Sequence, residues 1–167
     1  MRRSAFPWLT VLIVLCSLVA MLSAQDSAPP PAHGSGHVIL PPDQIKWSPG
    51  PAGLPAGAMM CVLVGDPSKP GLYVVLTKWL AGNHFSRPHF HPNDRFITVI
   101  KGTWWVGSGP NFDPANSTVP LPAGSVVTHY GKQVHYDGAK DEDAVLIIVG
   151  EGPATSTPFV AAEGMEK

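Results

Sequence analysis

The chain has 167 residues, with 11 basic and 12 acidic side chains and a net charge of −1. That length suits one ordinary domain and not two. The balanced charge lacks the basic footprint of a nucleic-acid binder, and no helix-turn-helix segment is visible, which argues against a DNA-binding regulator.

Residues 1–24 read as a secretory leader and not as fold. Arg2 and Arg3 form a positive start, and Trp8 to Leu22 is apolar except at Thr10, Cys16 and Ser17. Small residues Ser23 and Ala24 then precede the polar run Gln25–Asp26–Ser27, so cleavage is expected after Ala24. A membrane anchor is the competing reading, but a run of about 15 residues falls short of the roughly 20 that a spanning helix needs. No stable membrane span is therefore expected after cleavage, and the protein is expected to be exported, either periplasmic or secreted. The arginine pair fits the twin-arginine pattern poorly, and Leu15 is too bulky for a lipoprotein site at Cys16. Cleavage removes two arginines and no acid, leaving 9 basic against 12 acidic residues and a charge of −3.

Residues 25–44 are rich in Pro, Ala, Gly and Ser and read as a flexible tether. His33 and His37 lie there with no fixed partner nearby. A β-barrel domain is expected over 45–160, followed by a short C-terminal tail at 161–167. Within it, short apolar runs alternate with turn residues. Strands are predicted at Ala58–Val64, Leu72–Leu80, Arg95–Ile100, Thr103–Val106, Ser125–Thr128, Val134–Tyr136 and Ala144–Val149. No segment keeps a helical period over three turns, so the fold class is all-β and antiparallel, a sandwich or barrel. Ala144–Val149 is apolar throughout, as suits a strand covered on both faces. Cys61 is the one cysteine left after cleavage, so no internal disulfide forms. Its setting, Met59–Met60–Cys61–Val62–Leu63, reads as buried and apolar, with a reactive thiol as the alternative. Trp47, Trp79, Trp104 and Trp105 are expected in the core, although adjacent Trp104 and Trp105 face opposite sides of a strand and one of them would suit a dimer interface. Asn116–Ser117–Thr118 matches a glycosylation acceptor, a pattern common by chance.

The informative stretch is Gly82 to Gly102, GNHFSRPHFHPNDRFITVIKG. His89 and His91 are two apart, so on a strand both rings project from one face, as a divalent metal requires. Downstream, LPAGSVVTHYGKQVHYDGAK offers Gly124, about twenty residues beyond Gly102, and then His135. Together these segments resemble the two motifs of the cupin superfamily, the first a Gly, an H-x-H pair, a Glu and a closing Gly, the second a Gly, a Pro-x-Gly turn and a His. The resemblance implies an antiparallel jelly-roll (cupin) β-barrel with His89, His91 and His135 as metal ligands, a bound divalent ion (Fe, Mn, Ni or Zn), a small-molecule ligand and a homodimer.

Two positions depart from the pattern. Tyr130–Gly131–Lys132 replaces the Pro-x-Gly turn, where Gly131 can supply an unusual backbone angle. Arg95 stands at the Glu position, and a guanidinium is not a metal ligand. Asp94 or Asp137 can pair with Arg95 or supply an oxygen ligand. Alternatively Arg95 turns outward near Pro92–Asn93, or it clamps an anionic ligand beside the metal. His84, His129, Gln133 and Tyr136 are further candidates to line the site, with Tyr136, Asp94 and His129 conceivable as a general base. Two functional readings follow. One is a metal-dependent enzyme of oxygenase, isomerase or lyase type acting on a small, anionic molecule. The other is a non-catalytic barrel that binds or senses a small molecule or metal, with a structural dimer around a vestigial cavity as a third.

Overall fold

The computed structural model describes residues 40–49 and 56–160. The expected leader at 1–24, the tether as far as residue 39 with His33 and His37, and the tail at 161–167 lie outside the described residues. Twelve strands run in chain order: β1 Ser48–Pro49, β2 Ala58–Val64, β3 Gly71–Trp79, β4 His84–Phe85, β5 His89–Phe90, β6 Arg95–Lys101, β7 Thr103–Ser108, β8 Val119–Pro122, β9 Val126–His129, β10 His135–Ala139, β11 Ala144–Gly152 and β12 Thr157–Pro158. Among the described residues a 3-10 turn, Pro42–Gln44, precedes them. Among the described residues, no helix is long and apolar enough to cross a membrane.

The strands form two antiparallel sheets, ordered β1-β2-β3-β11-β6-β9 and β12-β5-β10-β7-β8, with β4 added on β10. This is the all-β antiparallel fold that the turn-punctuated apolar runs predict, in the jelly-roll form that the cupin resemblance implies. Strand β11 is the spine of the first sheet, paired along its whole length with β3 and over most of it with β6. Alternation sends Leu146 and Ile148 of β11, Tyr73, Val75 and Trp79 of β3, and Ile97 and Val99 of β6 into one apolar cluster, where Trp104 of the second sheet joins them. Burying a side chain of this size contributes about 1.5–3 kcal/mol.

Several expectations are corrected. Trp47 is half-buried under the Lys78 ammonium, 4.6 Å from its ring centre, and is not core. Trp105 is also half-buried, with Lys140 Nζ 3.7 Å from its ring centre, while Trp104 is 1% exposed. Cys61 is a free, half-buried thiol on β2, less enclosed than its apolar neighbours suggest. The two-residue strands and β8 are too short to carry an alternating apolar run of their own, and each exists by pairing with a longer strand or with another short one.

Tyr136 corrects the sequence reading most clearly. It lies between His135 and Asp137 on β10, so its ring takes the opposite face and cannot line a site with them. It is fully buried, and its hydroxyl donates to the Ser117 carbonyl (3.1 Å) and accepts from the Asp113 amide (3.3 Å). Tyr136 is thus the anchor of the loop between β7 and β8. Its cross-strand partner is Gly107, where a Cβ would run into the Tyr136 ring. Tyr136→Phe should leave these buried groups unpaired and lower stability by about 1–3 kcal/mol, measured by urea unfolding; an unchanged midpoint would refute the anchoring role.

Candidate metal centre

The two sheets meet at a cluster of nitrogen side chains. The second sheet supplies His89 and His135, which are direct cross-strand partners on β5 and β10, and His91 follows just beyond β5. The first sheet supplies Arg95 and His129, cross-strand partners on β6 and β9. Arg95 shares its face with Ile97 and Val99, both 1% exposed, so β-alternation aims it inward. The outward alternative for Arg95 is thereby excluded.

Each of the three motif histidines is fixed by a backbone carbonyl. His89 Nδ1 donates to Arg87 O (2.8 Å), His91 Nδ1 to Thr155 O (2.9 Å) and His135 Nδ1 to Gln133 O (3.0 Å). A carbonyl can only accept, so each ring carries a proton on Nδ1, and in a neutral ring Nε2 is then a bare lone pair. The Nε2 atoms of His89 and His91 stand 3.1 Å apart. With both protons at Nδ1 there is no hydrogen between them, and two lone pairs face each other. One cation between the rings relieves that repulsion. The ligand atoms of His89, His91 and His135 all lie within 4.8 Å of one another, and the three residues are buried. These barrel histidines are therefore placed to hold a metal ion, with carbonyls fixing tautomer and ring direction as metal-bound imidazoles require.

Protonation of His91 or His135 cannot serve instead. Burial, reinforced by the Arg95 charge, pushes the His91 pKa down to about 2. Burial likewise pushes His129 down to about 2, helped by His135 and Arg95. His135 falls to about 4 through burial, partly offset by the nearby Asp137 carboxylate. All three are neutral at physiological pH.

Arg95 supplies the one fixed positive charge. Its Nη2 donates toward His129 Nδ1 (3.2 Å) and His135 Nε2 (3.3 Å). Burial lowers its pKa while Asp137 and Tyr73 raise it, and a guanidinium under these opposing influences stays cationic. No carboxylate forms an ion pair with it; among the described residues the single pair within 4 Å is Lys69–Asp66 at the surface.

The other predicted site residues divide. Asp94 is exposed and accepts from the Gly131 amide (2.7 Å), so it pins the turn between β9 and β10 and does not pair with Arg95. Gln133 is exposed, and its carbonyl alone touches the site, through His135. His84 lies on β4 with its ring against Gly57, away from the cluster. Asp137 is buried beside it, holding Ser86 Oγ at 3.1 Å, and its carboxylate lies within 4.8 Å of ligand atoms of His129 and His135. The unusual backbone angle of the turn belongs to Lys132 (φ +65°), not to Gly131. Gly131 serves close approach: a Cβ there would come 2.6 Å from Pro92 O. Through these contacts the two motifs are tied together, with Lys132 N also donating to His91 O at 2.7 Å.

Sequence reasoning missed the Arg87 and Thr155 carbonyls, Ser86, and Trp104 as a neighbour of His129 (ring centres 5.3 Å apart). Backbone acceptors leave no trace in side-chain identity. Trp104 was legible only as core.

The fold is that of the cupin barrels. Solved structures of similar shape include a polyketide cyclase, RemF, from Streptomyces resistomycificus, with a TM-score of 0.61 and 13% identity over 76% of this chain and 87% of that one. A cupin 2 conserved barrel domain protein from Rhodopseudomonas palustris matches with a TM-score of 0.53 and 12% identity over 70% and 77% of the two chains. A cupin-like protein from Thermotoga maritima matches with a TM-score of 0.52 and 17% identity over 68% and 86%. No family model and no curated protein matches the sequence.

The neutral histidines set a pH dependence. Above the ordinary histidine pKa of 6.5, folded and unfolded chains are both unprotonated at His91, His129 and His135. Below it the unfolded chain takes up protons that the folded chain refuses, so stability falls with pH until the folded-state values near 4 and 2 are reached. The loss is about 1.4 kcal/mol per pH unit for each histidine that stays neutral. Melting temperatures of metal-free protein should drop clearly from pH 7 to pH 5; a flat profile would contradict this reading.

Proposed function

We propose that the protein is an exported cupin that holds a divalent metal ion on His89, His91 and His135 and acts on a small anionic molecule. The carrying observation is the set of three Nδ1–carbonyl hydrogen bonds, which leave three Nε2 lone pairs converging in an apolar interior. Neutral imidazoles in this number suit Fe, Mn, Ni or Zn. A metal there supplies Lewis acidity toward an oxygen of the bound molecule. The chain's own contributions are the rigid histidine frame, the excluded water of a barrel interior, and a fixed positive charge on Arg95 that orients an anion. Chemistry on a small organic molecule accords with the presence of a polyketide cyclase among the proteins of like fold.

A second reading, binding or sensing without turnover, is favoured by one observation. Arg95 already donates to His135 Nε2, so the ligand set is partly engaged before any metal arrives. Export is supported by the leader-like order of residues 1–24. A homodimer is supported by exposed apolar side chains on the first sheet, with Leu72, Phe96, Ile100 and Val126 each at least half exposed.

Metal analysis of mature protein purified without a histidine tag should give close to one ion per chain. His91→Ala and His135→Ala should each lose it while keeping the fold by circular dichroism. Absence of metal after incubation with iron, manganese, nickel and zinc would refute the metal reading.

A further inference from the structure

Beside the histidine frame lies a second group of polar atoms with unmet hydrogen bonds. Among the described residues, three buried side-chain nitrogens have no partner: Arg95 Nε, His129 Nε2 and Trp104 Nε1. All three are donors. Trp104 and Arg95 have no acceptor to offer. His129 accepts from Arg95 on Nδ1, so its proton sits on Nε2. Trp104 is 1% exposed and His129 8% exposed, so bulk water does not satisfy them. The residues adjoin one another, Arg95 bonding to His129 and the His129 and Trp104 rings stacking at 5.3 Å. Leaving a buried donor unmet is destabilising by about 1–3 kcal/mol each. Three together, beside an unpaired guanidinium, describe a place for an acceptor with negative charge.

We propose that Arg95, His129 and Trp104 form a carboxylate subsite, and that the carboxylate and the metal bind cooperatively. The coupling follows from His135. Its Nε2 lone pair serves Arg95 in the free protein and is required by a metal. When the metal takes it, Arg95 loses an acceptor and gains a cationic neighbour. A carboxylate beside the guanidinium replaces the acceptor and screens the two positive charges. Without the anion, Arg95 competes with the metal; with it, the two cohabit. This rests on the metal reading above and specifies the ligand class of the same site.

The test uses full-length mature protein, zinc and acetate, with acetamide as the neutral isostere, followed by calorimetry and competition with a zinc-sensitive dye. Saturating acetate should tighten zinc binding about tenfold, and zinc should tighten acetate binding by the same factor, because coupling is reciprocal. Acetamide should do neither. Arg95→Gln should tighten zinc binding in acetate-free buffer and abolish the acetate effect. Trp104→Phe should weaken acetate severalfold with zinc affinity in acetate-free buffer unchanged, which keeps the test decisive if Arg95→Gln fails to fold. Equal coupling in wild type and Arg95→Gln, or equal acetate affinity in wild type and Trp104→Phe, would overturn the subsite, since acetate would then be binding zinc alone. Zinc bound with no acetate dependence would also overturn it while leaving the metal reading intact. Acetate bound in an Arg95-dependent way with no zinc would overturn the coupling and the metal reading together.

Discussion

Three imidazoles, each held by a backbone carbonyl at Nδ1, present three bare Nε2 lone pairs to one another inside the barrel. That arrangement is electrostatically unfavourable on its own, and the rest of the centre can be understood as a response to it. Protonation of His91 and His135 is blocked by burial, which keeps those two rings neutral. A cation is the remaining remedy, and the chain carries one in Arg95, whose guanidinium reaches only His135 of the three. His89 and His91 still face each other at 3.1 Å. The interior is thus half-compensated by its own side chain and open to compensation by a metal.

The jelly roll makes this possible by dividing labour between its sheets. The second sheet brings the ligands: β5 and β10 pair at His89 and His135, and the Tyr130–Lys132 turn clamps the segment after His91. The first sheet brings the charge: β6 and β9 pair at Arg95 and His129. A one-residue slip of β6 would turn Arg95 outward and Phe96 inward, so the packing of Ile97 and Val99 in the core fixes the electrostatics of the site. Tyr136 performs the matching task on the far face of β10, holding the loop that covers it.

Much of the fold was legible in the chain. Long strands such as β3, β6 and β11 announce themselves through apolar runs bounded by Gly, Pro and Asp, because each buries a face of its own. The bounds of the two-residue strands were not legible, since two residues are too few to show a period and each strand exists only through its partner. In the site, alternation pointed to the shared direction of His89 and His91, whereas the direction of Arg95 stayed open until the packing of Ile97 and Val99 on the same face decided it. The same rule, applied strictly, would have removed Tyr136 from the candidates beside His135. What no pattern of side chains could show is the carbonyl behind each histidine, because every residue has one. The isolation of Arg95 from Asp94 was equally hidden: it arises because the Asp94 carboxylate is engaged by the Gly131 amide, a contact made only in the folded chain.

The central claim is a claim about protons, and nitrogen-15 NMR of the imidazole rings in metal-free protein tests it most directly. The account predicts that His91 and His135 are neutral at pH 7, that all three motif histidines carry a proton on Nδ1, and that their Nε2 resonances, and not Nδ1, shift on adding zinc. A ring among the three with no proton on Nδ1, or a charged His91 or His135, would contradict it.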